Sequence, residues 1–185
     1  MYKSERLLKE NWRLYVSENR VCRDFAEEIC NEDALKSHGI DSIPASVPGN
    51  FELDMQKAGL IKDPFYGKNT LDIQKLENRH LWYCVNFDYA GTDPDRAYLI
   101  FDGIDTFADV YLNGNIIGSA DNMFITYEFK AEGIKKGTNE LVVHIKPTVI
   151  EARKYNFDMD VFMHQKYNAA SLSVRKAAHS FGWDI

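Results

Sequence analysis

Residues 101–118 read FDGIDTFADVYLNGNIIG, and this stretch decides the fold class. Asn113 and Gly114 both tolerate positive φ, so they predict a tight type I′ hairpin joining Asp109–Leu112 to Asn115–Gly118. The pattern continues outward on both sides. Leu81–Phe87, Ala97–Phe101, Phe107–Leu112, Phe124–Phe129 and Glu140–Lys146 read as strands of ordinary length, separated by polar or Gly-containing turns. Gly133 and Gly137 flank the turn before the last strand. There Leu141, Val143 and Ile145 alternate with Val142, His144 and Lys146, giving one apolar face and one mixed face. Several short antiparallel strands without a βαβ rhythm predict a mainly β domain, an antiparallel β-sandwich or jelly roll. Its expected core is Trp12, Leu14, Leu99, Phe101, Val110, Leu112, Leu141, Val143 and Ile145.

The amino-terminal half is less regular. Trp12, Leu14 and Val16 have the period of two of a half-buried strand. Phe25, Ile29 and Leu35 have roughly helical spacing, but Asp, Glu and Asn interrupt them, so residues 20–38 read as an irregular excursion with room for a helical turn. Pro44, Pro48 and Gly49 punctuate the chain. A single short helix is then expected near Phe51–Ala58, with Asn50 as its N-cap, Glu52 and Asp54 in its first turn and Gly59 at its end. Residues 61–80 read as loop with a short helical piece. The division expected is a β-sandwich over residues 1–146 and an irregular crossover over 147–185 belonging to the same domain. The abrupt final FGWDI suggests a longer parent.

The 185 residues are 45 % hydrophobic and 27 % charged, as in a soluble domain with a core, and the formal net charge of −6 disfavours a nucleic-acid surface. No apolar run approaches the roughly 18 residues of a membrane span. The opening MYKSERLLKENW has no apolar signal core, which favours the cytoplasm; secretion or a periplasmic location stays open if a signal peptide was removed. Cys22, Cys30 and Cys84 read as free thiols. Cys84 lies in an apolar strand and reads as a buried structural thiol rather than a nucleophile. His38, His80, His144, His164 and His179 form no HExxH or close multi-His motif, so neither a metal site nor a cofactor is expected. Asp102 and Asp105 flank Gly103 and read as turn caps, while Asp158 and Asp160 read as solvated or interdomain groups. Adjacent in a strand, Trp82 and Tyr83 should point to opposite faces.

Six segments together resemble the N-terminal sugar-binding-like domain of family 2 glycoside hydrolases, especially β-mannosidases. They are VPGNFELDMQKAGLIKDPFYGKN (47–69), RHLWYCVNF (79–87), FDGIDTFADVYLNGNIIG (101–118), DNMF (121–124), NELVVHIK (139–146) and RKAAHSFGWD (175–184). The resemblance implies a galactose-binding-domain-like jelly roll ahead of an immunoglobulin-like sandwich and a TIM barrel. The barrel would carry both catalytic carboxylates, about 5–5.5 Å apart for a retaining mechanism, so no catalytic residue is expected in this chain. The expected role is to complete the glycone side of the cleft of a β-mannosidase. The implied partners are β-mannosides or related oligosaccharides and further domains of the same chain. Two alternatives stand beside it, an autonomous carbohydrate-binding module and a purely structural sandwich. The resemblance also implies that Asp184 reaches the hydroxyls of the terminal sugar while Trp183 fixes its loop. Arg175 and Lys176 would offset that charge or tether the connection. Tyr66 and Asn69, in DPFYGKN, are candidates for a cleft or interdomain position, with a loop-anchoring role as the alternative for Tyr66.

Overall fold

The period-two segments build two antiparallel sheets in the computed structural model, which describes residues 6–25, 28–155 and 173–177. The strands are β1 (Trp12–Glu18), β2 (Ser42–Ala45), β3 (Arg79–Tyr89), β4 (Tyr98–Phe101), β5 (Ala108–Leu112), β6 (Asn115–Ala120), β7 (Tyr127–Lys130) and β8 (Gly137–Ile145). Six of them form one sheet in the order β2-β1-β3-β8-β5-β6, and β4 pairs with β7 in a second. The short helices are α1 (Asn19–Phe25), α2 (Glu32–Ser37), α3 (Phe51–Lys57), α4 (Thr70–Ile73) and α5 (Thr148–Ala152).

The β5–β6 hairpin forms as expected, with φ of 50° at Asn113 and 81° at Gly114. The Asn113 side chain ties this turn to the next one. Its amide donates to the Gly133 carbonyl and to Asn139 Oδ1, each at 2.9 Å, and its oxygen accepts from the Glu140 amide at 3.0 Å. Helix α3 also follows the expected chemistry. Asn50 Oδ1 accepts from the Glu52 and Leu53 amides, and Gly59 ends the helix at φ 74°.

Three expectations need correction. The single helix becomes several, and the excursion at 20–38 contains α1 and α2. The polar residues that broke its periodicity belong to the helix itself: Asn31 caps α2 by accepting from the Ala34 amide at 2.8 Å, and Glu32 and Asp33 occupy its first turn. Strand β2 was not foreseen, because Pro44 argues against a strand; at a sheet edge the missing N–H costs no ladder bond. Strand β7 starts three residues later than expected. Asn122 Oδ1 accepts from the Phe124 amide at 2.9 Å, closing a turn that leaves Phe124 64 % exposed.

Both faces of the large sheet are covered. Trp12, Val85, Phe87, Val110, Leu112, Leu141 and Val143 face β4 and β7, whose Leu99, Phe101, Tyr127 and Phe129 pack against them. Leu99, Phe101 and Ile145 are thus partly buried at the margin of the expected core, while Trp12, Leu14, Val110, Leu112, Leu141 and Val143 are fully buried. The layers meet most closely at Gly118, where an added Cβ would lie 2.2 Å from the Phe129 ring. On the opposite face Tyr15, Trp82, Cys84 and Val142 pack under α1 and α2 through Cys22, Ile29 and Leu35. Trp82 and Tyr83 therefore do point to opposite sides, but both sides are packed layers. The face of β8 read as mixed is buried as well. A buried ion pair pins α2 there: Arg13 grips Glu32 at 2.6 and 2.8 Å, and the Tyr15 hydroxyl donates to the same carboxylate.

Candidate functional site

Residues 173–177 return to one end of the domain and dock on the loops after β4 and β6. Arg175 forms an isolated parallel bridge with Asn122, its carbonyl accepting from the Met123 amide at 3.0 Å. The Ala177 amide donates to Met123 Sδ, also at 3.0 Å. The Lys176 ammonium lies 2.8 Å from Asp105 Oδ2, and the Thr106 hydroxyl donates to the other oxygen of that carboxylate. Asp105, read from the sequence as a turn cap, is therefore an ion-pair anchor. Its charge is compensated, which suits holding a segment in place better than transferring a proton.

The first turn of α3 faces the same end. The Glu52 carboxyl is pushed upward by burial, tempered by its own backbone and by Lys176, and one of its oxygens is buried without a hydrogen-bond partner among the described residues. Glu52, Lys176 and Asp105 thus form a run of alternating charge along the seam where residues 173–177 attach. Burial also raises the neighbouring Tyr83 hydroxyl, helped by Asp54 and Glu52, so it stays a neutral donor. Next to the docked segment, Phe124 and Ile125 expose apolar surface, an unusual way to finish a turn that faces only water.

Among the residues singled out from the sequence, Lys176 and Arg175 join this seam. Lys176 does so through its charge and Arg175 through its backbone. Tyr66 and Asn69 lie in a turn-rich loop whose hydrogen bonds close within it. The Asn69 amide donates to the Asp63 carbonyl at 2.8 Å, and Tyr66 is 76 % exposed beside an equally projecting Phe65. Tyr66 thus projects from the loop, while Asn69 helps to close it. Trp183, Asp184, Asp158 and Asp160 lie outside the described residues. Glu52 was read only as a first-turn acid, since nothing in its spacing reveals that Lys176 approaches it.

A second polar constellation escaped the sequence reading entirely. On the helix-covered face, His80 Nδ1 lies 2.7 Å from His144 Nε2, and His80 Nε2 lies 3.1 Å from Asn19 Oδ1. His144 stacks flat on Trp82, whose indole donates to Ser17 Oγ at 3.0 Å; Ser17 in turn sits 3.4 Å from Cys22 Sγ. Ligand-capable atoms of Cys22, His80 and His144 all lie within 4.8 Å of one another. Burial, reinforced by Lys146 and Lys154, pushes His80 down to about 4, and burial with His80 and Lys146 lowers His144. Both rings are neutral at pH 7. Three residues spread from 22 to 144 carry no spacing motif; adjacent strands and one covering helix assemble them.

Two antiparallel sheets, a capped α3 and the docked residues 173–177 define a mainly β domain with several short helices. The chain belongs to the family described as glycosyl hydrolase 2 galactose-binding domain-like, whose model matches residues 30–185. It is similar to β-mannosidase B of Thermothelomyces thermophilus, 37 % identical over 145 residues that cover 74 % of this chain and 16 % of that protein. β-Mannosidase of Rattus norvegicus is 31 % identical over 152 residues, 77 % of this chain and 17 % of that protein. In the crystal structure of β-D-mannosidase from Dictyoglomus thermophilum, the match covers 96 % of this chain and 20 % of that one, with a TM-score of 0.69 and 32 % identity. The chain therefore spans about a sixth of the curated relatives' length.

Proposed function

We propose that this chain is the non-catalytic, sugar-side module of a retaining β-mannosidase that removes terminal β-mannosyl residues. Its sheets are read as a galactose-binding-like jelly roll over residues 1–146. The crossover over residues 147–185 belongs to the same domain. The observation that carries this reading is the similarity to β-mannosidases across most of the chain, together with a family match that runs over residues 30–185. The geometry gives it a physical basis. Residues 173–177, which precede Asp184 in the sequence, are tethered by Lys176 and by backbone bonds at Met123. The exposed Phe124 and Ile125 beside it suit coverage by further domains of the same protein.

In this reading Asp184 accepts hydrogen bonds from glycone hydroxyls and Trp183 packs its loop, while the acid/base and the nucleophile come from another domain. A charge-assisted sugar contact is worth about 1.5–3 kcal/mol. Asp184→Asn in the complete enzyme should therefore lower kcat/KM on a β-mannoside by roughly 10–100-fold, with circular dichroism unchanged. Unaltered kcat/KM in a folded variant would exclude the contact.

A further inference from the structure

We propose that Cys22, His80 and His144 form a binding site for a divalent transition metal of the zinc class, remote in function from the sugar-side seam. Two imidazoles and one thiol are a borderline-soft donor set, suited to zinc, cobalt or copper and poorly suited to magnesium or calcium. All three residues are buried, and their donor atoms converge within 4.8 Å.

The hydrogen bonds give each ligand its orientation. Asn19 Oδ1 accepts only, so His80 Nε2 carries a proton toward it, and His80 Nδ1 is left with a free lone pair. His144 Nε2 must then donate to that lone pair across 2.7 Å. His80 is thereby arranged as a metal-binding histidine, with its far N–H held by a side-chain oxygen behind it. Stacking on Trp82 fixes the His144 plane, and Ser17 steadies the Cys22 sulfur.

A metal ion takes the place of the shared proton. The His144 proton moves from Nε2 to Nδ1, freeing the second lone pair, and Cys22 releases its thiol proton to solvent. One proton leaves per ion bound. Two nitrogens bound tetrahedrally at about 2.0–2.1 Å lie ~3.3 Å apart, so the rings must separate by roughly 0.6 Å, a side-chain adjustment. The three ligands leave one position for water or another small ligand. Among the described residues Lys146 pairs with Asp109 and Lys154 with Glu151, each at 2.6 Å, which offsets part of the positive charge the ion would meet.

The test uses the full 185-residue chain, stripped with a chelator and titrated with zinc and with cobalt. Binding at one ion per chain is expected. The cobalt form should show an intense tetrahedral visible spectrum and a thiolate-to-cobalt charge-transfer band. Cys22→Ser should abolish that band while Cys30→Ser retains it. Asn19→Ala should weaken zinc binding by about 10–100-fold, as losses behind a ligand typically do. X-ray absorption on the zinc-loaded, unaltered chain supplies a readout independent of any variant's folding. One sulfur at about 2.3 Å and at least two nitrogens near 2.0–2.1 Å are expected. An all-oxygen shell, a charge-transfer band that survives Cys22→Ser, or the absence of stoichiometric binding would each overturn the proposal in favour of a packing-only hydrogen-bond cluster.

Discussion

Replacing Arg13 by methionine tests whether a buried charge pair holds α2 to the sheet. The Glu32 side chain keeps 8 % of its surface and that of Arg13 28 %, and the two meet through paired hydrogen bonds. Methionine retains the apolar stem but strands the carboxylate with the Tyr15 hydroxyl and Lys36, 3.5 Å away. Stranding a buried charge costs about 3–5 kcal/mol; the two remaining partners place this case near ~3 kcal/mol. For a domain of this size that is a fall in Tm of roughly 6–12 °C. The pH dependence sharpens the test. Burial alone would raise the Glu32 carboxyl, but hydrogen bonds from Arg13 and Tyr15 override it and hold it below its ordinary value. A lowered carboxyl stabilises the fold above the unfolded pKa of 4.5 and loses that contribution as pH falls through the folded value. Arg13→Met removes the contribution and raises the carboxyl, so the variant regains ground as Glu32 takes up a proton. Urea titrations at pH 7, 5 and 4 should show a gap to wild type that narrows steadily. The double variant Arg13→Met/Glu32→Leu should recover much of the loss. A gap below about 1 kcal/mol at pH 7, or one constant down to pH 4, refutes the reasoning.

The histidine pair makes the metal-free protein acid-sensitive in a separate window. His80 titrates near 6.5 unfolded and at about 4 folded, so stability should fall by about 2 kcal/mol between pH 6.5 and 5 with chelator present; a flat urea midpoint across that window counts against the buried pair. Gly118→Ala drives a Cβ into the Phe129 ring and should cost about 1–3 kcal/mol by thermal denaturation, whereas a neutral result would mean the layers separate easily there. Asn113→Ala removes three hydrogen bonds that join two turns and should cost about 2 kcal/mol in urea; a loss of only a few tenths would leave the turn backbone as the sole determinant.

What was legible in the sequence depended on local chemistry. The Asn113-Gly114 hairpin, the Asn50 cap and the alternation in β8 each rest on residues a few positions apart, and each formed where expected. Helices α1 and α2 were obscured because they are only 7 and 6 residues long, and because Asn31 and Glu32, which interrupt the apolar spacing, serve α2 as its cap and as the partner of Arg13. Strand β2 was hidden by Pro44, whose tolerance depends on lying at an edge that only the sheet order defines. The same limit applies at the seam. Lys176 could be marked as a tether, but its anchor Asp105 lies 71 positions earlier, and Glu52 enters only through tertiary approach. The Cys22, His80 and His144 cluster is a product of tertiary assembly: β3 pairs His80 with Ser17 of β1 and Trp82 with His144 of β8, and helix α1 brings Cys22 over them.

Strand β3 serves two interiors at once. Tyr83, Val85 and Phe87 feed one, and Trp82 and Cys84 feed the other. Sliding it by a single residue would hand each set to the wrong neighbours, turning Trp82 toward the small sheet and Val85 toward the helices. A strand with one solvated side can misalign and spoil only a single interface. Here an error forfeits both together, so misthreaded chains find no partly satisfied resting place. If the helical cover lifts transiently, the opposite interior keeps β3 in line, and the cover can close again on an unshifted template.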